Sequence, residues 1–158
     1  MAKLIPHLWY SDKAEEAAAF YASVLPNSKV ESVTALAADS PSGPAGSVKV
    51  VEFTLIGQPF VAISAGPLDA FNHSISLMVQ CDDQAEIDRL WAALSEGGKV
   101  ERCGWLQDRY GLSWQITPTV LGKMMKSPDR ARAKRVAEAM LKMVKFDVGA
   151  LQKAYEGN

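Results

Sequence analysis

Between Leu112 and Thr117 the chain alternates strictly, with Leu112, Trp114 and Ile116 on one parity and Ser113, Gln115 and Thr117 on the other. A period of two is the mark of a strand whose side chains leave on opposite faces. Cys103 to Gln107 reads as a second short strand, and Asp108-Arg109-Tyr110-Gly111 between them as a turn. An apolar face must pack on something. A face with an amide at its centre, in a strand flanked by Trp105 and Trp114, reads as the lining of a cavity. The stretch from Ser74 to Gln80 repeats the theme, with Ile75, Leu77 and Val79 opposing Ser74, Ser76, Met78 and Gln80. Two such strands predict a curved sheet with helices outside and a partly polar hollow inside.

The rest of the chain supplies the same order of elements twice. Leu4 to Tyr10 reads as a strand, and Ser11 or Asp12 as the cap of a helix from about Lys13 to Val24. Ser28 to Leu36 follows as a strand with Val30 and Val33 on its buried side. A loop from Asp39 to Ser47 leads into a hairpin, Val48 to Ile56 and Pro59 to Ser64, turning at Gly57-Gln58. After a linker at Gly66-Pro67 the order recurs: strand Ser74 to Gln80, a helix capped by Asp82 or Asp83 and ended by Gly97-Gly98, then strands near Lys99 to Arg102, Gly104 to Gln107 and Leu112 to Thr117. The expected architecture is α+β: two βαβββ modules, residues 1–66 and 73–118, forming curved mixed sheets around a cavity within one structural domain. A helical extension, residues 119–158, carries an apolar face of Val136, Met140, Leu141 and Val144.

Composition narrows the function classes. A chain of 158 residues can bury a core without a disulfide or a metal. A net charge of −1 argues against a dedicated nucleic-acid binder, and the Lys and Arg residues between Lys123 and Lys145 read as a solvated face. No apolar run is long enough for a membrane span and no leader is evident, so a soluble, cytoplasmic protein is expected. Cys81 and Cys103 lack C-x-x-C spacing and read as reduced thiols.

Several phrases go further. Asp12-Lys-Ala-Glu-Glu-Ala-Ala-Ala-Phe-Tyr21, Leu25-Pro26-Asn27-Ser28, Cys81-Asp-Asp-Gln-Ala-Glu-Ile-Asp88 and the stretch from Cys103 to Pro118 resemble the PhnB-like branch of the vicinal oxygen chelate superfamily, the group of glyoxalase I, bleomycin-resistance proteins and extradiol dioxygenases. Members of this branch often bear the label 3-demethylubiquinone 3-methyltransferase. The resemblance implies a divalent metal held by up to four strand side chains. By landmark spacing those positions fall at Pro6, Ala62, Ser76 and Gln115, with His7 one residue from the first. Proline, alanine and serine are no ligands for a tight site, so no metal and no cofactor is expected. The methyltransferase label lacks the glycine-rich strand-to-helix turn that S-adenosylmethionine enzymes of the common type use.

The ligand-binding candidates are Gln115, Ser76, Glu52, Trp105 and His73, with Glu52 also the candidate general base. Glu52 interrupts an apolar strand; it either faces the hollow, desolvated and with a raised pKa, or is plainly exposed or salt-bridged. His7 reads as a helix-packed or edge histidine, and His73 as lying at the pocket mouth or on the surface. The expected function is binding of an unidentified small molecule by a homodimer. The alternatives are metal-independent or divergent metal catalysis and the labelled methyl transfer.

Overall fold

Alternation builds the first sheet as read. In β3 (Lys49–Leu55) and β4 (Gln58–Ser64), Val51, Phe53, Leu55, Phe60, Ala62 and Ser64 are buried while the residues between them are not. The structure is a computed structural model describing residues 1–158. β1 (His7–Tyr10) runs parallel to β4, and β2 (Lys29–Ala35) antiparallel to β3, giving the order β1-β4-β3-β2. Helix α1 (Ala14–Val24) covers the buried face with Ala14, Ala17, Ala18 and Tyr21; three alanines let its backbone approach closely. The buried hydroxyls of Tyr10 and Tyr21 lie 3.0 Å apart and hydrogen bond.

Four expectations fail in this sheet. The first strand begins at His7 rather than Leu4. α1 is not capped by Ser11 or Asp12: the Ala14 N–H donates to Ser64 Oγ at 2.9 Å, so the last strand provides the acceptor. Val33 is 47% exposed: the register shift between Val30 and Ser32 keeps it opposite Val51, on the face read for it, but β2 is the edge strand of the sheet. The hairpin turns at Ile56-Gly57, one residue early, with φ of 49° and 78°. Positive φ at both turn positions matches the strand twist. The isoleucine's strain there is opposed by a bond of 2.9 Å from its N–H to Ser28 Oγ.

The second sheet follows the same plan with shorter strands: β5 (Leu77–Cys81), α2 (Gln84–Ser95), β6 (Lys99–Val100), β7 (Trp105–Gln107) and β8 (Ser113–Pro118). Its order is β5-β8-β7-β6, with β5 and β8 parallel. Leu106, Leu112, Trp114 and Ile116 pack with Ile87, Leu90 and Leu94 of α2, all at most 1% exposed. Asp83 caps α2, accepting from the Glu86 N–H at 2.8 Å. Contrary to expectation the fifth strand starts at Leu77, and Ile75 is 62% exposed. Asn72 Oδ1 accepts from the Ser74 N–H at 2.8 Å, a local turn that holds this segment off the ladder.

The chain divides into two compact units, Met1–Ala70 and Phe71–Asn158. The extension belongs to the second and consists of α3 (Thr119–Met125), α4 (Arg130–Met140) and α5 (Val148–Glu156). Leu121, Met124, Val136, Phe146 and Leu151 form its core, with Cys103, Met125, Met140 and Met143 packed against it. Leu141 and Val144, expected on the apolar helix face, lie beyond α4 and are 58% and 45% exposed. The connection between α4 and α5 is instead a strap over the β6–β7 turn. Met143 O and Val144 O accept from the Cys103 and Gly104 N–H groups at 2.9 and 2.8 Å. Gly104 sits at φ +77°, and a Cβ there would lie 2.4 Å from the Phe146 ring, so only glycine admits this approach. Gln84, at the start of α2, grips both sides of Phe146: it donates to Phe146 O at 3.0 Å and accepts from the Val148 N–H at 2.8 Å.

Candidate functional site

On the second sheet, the face away from α2 gathers four of the five candidates. Gln115 in β8 is flanked by Met78 of β5 and Trp105 of β7, its partners in register. Its Nε2 donates to Ser76 Oγ at 2.9 Å, holding the residue just before β5 against the sheet. The His73 ring lies 6.1 Å from the Trp105 ring, and His73 Nε2 is 2.8 Å from both carboxylate oxygens of Glu101. The carboxylate thereby fixes the imidazole beside the indole. The result is a surface of half-buried amide, hydroxyl and indole bordered by an exposed thioether and imidazole. It can stack a planar group and hydrogen bond to it. Ser113, on the parity of Gln115, is fully buried and its Oγ has no hydrogen-bond partner.

The β7–β8 turn aims this face. Asp108 is 3% exposed; its Oδ1 accepts from the N–H groups of Tyr110 and Leu112 at 2.8 and 3.1 Å, and its Oδ2 from Trp114 Nε1 at 2.8 Å. One carboxylate therefore sets both the turn and the rotamer of the core tryptophan. Sequence reasoning missed Asp108, although an Asp opening a four-residue Asp-x-Tyr-Gly turn is itself the signal. Glu101 was missed as well, and its pairing with His73 leaves no mark in the sequence.

Glu52 lies in the other unit. It is exposed rather than desolvated and accepts from Ser32 Oγ at 2.7 Å. The bulge in β2 puts Glu31 on the same face, where Thr54 Oγ1 donates to it at 2.9 Å. The Lys29 ammonium, 3.1 Å from Glu31, is the main cause holding that carboxyl below its ordinary range. Glu31, Glu52, Thr54, Val61 and Ile5 line an open depression of ≈ 280 Å³.

The landmark positions for a metal are out of register in this unit. Ala62 is fully buried, on the parity of Leu8, Tyr10 and Ser64, against α1; the opposite face carries His7 and Trp9 with Val61 and Ile63. His7 is exposed on an edge strand and is not helix-packed. With His7 admitted in place of Pro6, the donors at these positions are still one imidazole, one hydroxyl and one amide. No group of three or more His, Cys, Asp or Glu side chains is placed so that it could hold a metal ion. The donor set does not fit a divalent metal centre. Cys81 is buried, and burial pushes its thiol up to about 12, so it stays protonated and unreactive. The cations of the extension are largely engaged: Arg132 with Asp129, Lys145 with Asp88, and Arg135 on the carbonyls of Ala154 and Tyr155. No helix is long and apolar enough to cross a membrane.

Two βαβββ units, each closing a parallel pair between its first and last strands, make this a protein of the vicinal oxygen chelate superfamily. Within it, the chain belongs to the 3-demethylubiquinone-9 3-methyltransferase family, whose profile matches residues 2–117. Helices α3 to α5 lie beyond that match. A PhnB protein from Bacillus cereus that carries the same family designation is 32% identical over 75% of this chain and 100% of its own, with a TM-score of 0.67. Protein PA1353 from Pseudomonas aeruginosa is 24% identical, covering 75% and 98% of the two chains, with a TM-score of 0.57. The fosfomycin resistance protein FosX from Listeria monocytogenes, complexed with Mn(II) and a dihydroxypropylphosphonic acid, shares the fold at 13% identity, with 80% and 99% covered and a TM-score of 0.56. No curated protein matches the chain.

Proposed function

We propose that this protein binds a small molecule without a conventional metal centre, seating it on the second sheet. The observation that carries the reading is the Gln115–Ser76 hydrogen bond beside Trp105, a neutral polar pair next to an aromatic platform. Methyl transfer is not favoured: both sheets are mixed, and Gly97-Gly98 ends a helix instead of opening one. A metal-independent reaction has one observation behind it, the exposed Glu52 carboxylate lining the depression of the first unit as a candidate base. The exposed Val33 and Leu36 at the β2 edge support a homodimer, and the free cysteines support a cytoplasmic setting.

Native mass spectrometry of freshly purified protein tests the reading, scoring co-purified organic ligand and metal together. An organic adduct without metal is expected; near-stoichiometric Zn, Ni, Mn or Fe would overturn it. Gln115→Ala should abolish that adduct while costing less than about 1 kcal/mol of stability. A loss above about 3 kcal/mol would mark a structural amide instead. Sedimentation at micromolar concentration should show a dimer, and a monomer throughout would remove that proposal.

A further inference from the structure

Four of the six methionines and one of the two cysteines meet in one place. Met124 lies in the core of the helical extension, and Met125, Met140, Met143 and Cys103 pack around it. Cys103 Sγ lies 3.6 Å from Met140 O, and Met143 O accepts the Cys103 N–H, so Cys103 and the backbone of both methionines border the seam between the strap and the β6–β7 turn, with the methionine side chains packed on the core beside it. Apart from Met124 these residues are half-buried, so a small oxidant reaches them. At this seam the strap meets the turn that carries Trp105, two residues beyond Cys103, and Glu101, two residues before it.

We infer that this seam is a methionine oxidation site, and that sulfoxidation by a hydroperoxide releases the strap from the β6–β7 turn. The thioether lone pair attacks one oxygen of hydrogen peroxide; an S–O bond forms as the O–O bond breaks. The departing hydroxide takes the proton of the transferred oxygen and leaves as water. Sulfur loses two electrons and the peroxide gains them. The product is a polar, chiral sulfoxide where an adaptable apolar chain packed, and methionine sulfoxide reductases reverse the change. Phe146 and the strap carbonyls then lose their seat on Gly104, and the turn that positions Trp105 and Glu101 loosens. That this alters ligand binding rests on the function proposed above; the release of the strap does not.

The test treats the full chain with hydrogen peroxide and follows oxygen addition by peptide mass spectrometry, with amide hydrogen exchange read at Cys103 and Gly104. Met1 and Met78, 119% and 53% exposed, serve as internal references that oxidise without touching the seam. Oxidation of Met125, Met140 and Met143 is expected, with exchange at the two amides faster by about tenfold or more and restored by sulfoxide reductases. A variant with Met125→Leu, Met140→Leu and Met143→Leu keeps side-chain volume. It should oxidise at Met1 and Met78 and leave those amides unchanged. Seam methionines that stay reduced while Met78 is fully oxidised would overturn the inference. So would their oxidation without faster exchange. Because neither readout involves a ligand, a failure here is distinct from failure of the binding proposal.

Discussion

In the first unit β2, β3 and β4 run for seven residues each, and β3 and β4 close on a two-residue turn. In the second, β6 has two residues and β7 three, yet the second sheet holds most of the candidate site. Strands that short contribute few ladder hydrogen bonds and little packing of their own. Braces outside the ladder replace them: Asp108 within the β7–β8 turn, and the strap with Phe146 and Gln84 behind the β6–β7 turn. The first unit is held by its own pleat, the second by attachments. The geometry of residues on such short strands depends on groups outside the ladder.

The sharpest way to break this comparison is Phe146→Ala. Emptying a site that is 2% exposed should cost about 3–5 kcal/mol. Hydrogen exchange should rise across β6 to β8 and stay unchanged in β2 to β4. Equal loosening of both units would show that the strap is not specific to the second. Next, Asp108→Ala strands two backbone N–H groups and an indole N–H, a loss of about 3 kcal/mol by urea unfolding. Asp108→Asn should fall between the variant and the parent, since an amide nitrogen would face Trp114 Nε1; a wild-type midpoint for either would show the turn to be self-supporting.

Ser64→Ala probes the first unit in return and should cost about 1 kcal/mol, the usual worth of a helix cap, with the loss confined to α1 in exchange data. Ser113→Ala is expected to go the other way, unchanged or up to about 1 kcal/mol more stable, because it removes a buried hydroxyl with no partner. A clear destabilisation would reveal a partner for that hydroxyl. The smallest effect belongs to acid. Lys145 beside Asp88, and the Arg132 N–H at Asp129, hold those carboxyls below the ordinary range. Groups whose folded pKa is lowered stabilise the fold above their unfolded pKa, and that contribution fades as pH falls through the lowered folded value. Exchange in the strap and α4 should therefore quicken as pH drops below about 4. Lys145→Met should remove the Asp88 part of this dependence; an unchanged acid profile would show the pair to be idle.

The doubled order of elements was legible because alternation and the Asp83 cap of α2 are local, and Leu112 to Thr117 adopt the parity they display in sequence. Legibility ended where partners are distant. Ile75 obeys the alternation yet stays outside β5, since the Asn72 turn and the Ser76–Gln115 bond place its segment and neither leaves a pattern. Val33 shares the face of Val51 as read, yet it is 47% exposed because β2 lies at the sheet edge, and an edge position leaves no pattern either. Ala62 and Pro6 came from landmark counting, in which a slip of one residue exchanges the two faces of a strand. The pairing of Ser76 with Gln115 emerged from parity; that of His73 with Glu101 did not, because neither lies within a strand.

The acceptor at the start of α1 comes from Ser64, 50 residues further along the chain. α2 carries its own in Asp83, so its first turn can close while that segment is still an isolated peptide. α1 closes its first turn through the Ala17 N–H and Lys13 O, but its Ala14 N–H gains an acceptor only once the β3–β4 hairpin has formed and β4 has docked beside β1, so that end of the helix waits on loop closure of the whole unit. The two helices should therefore differ in time as well as in place. Structure in α2 is expected early on the folding route, and α1 with its sheet in a later, single cooperative step.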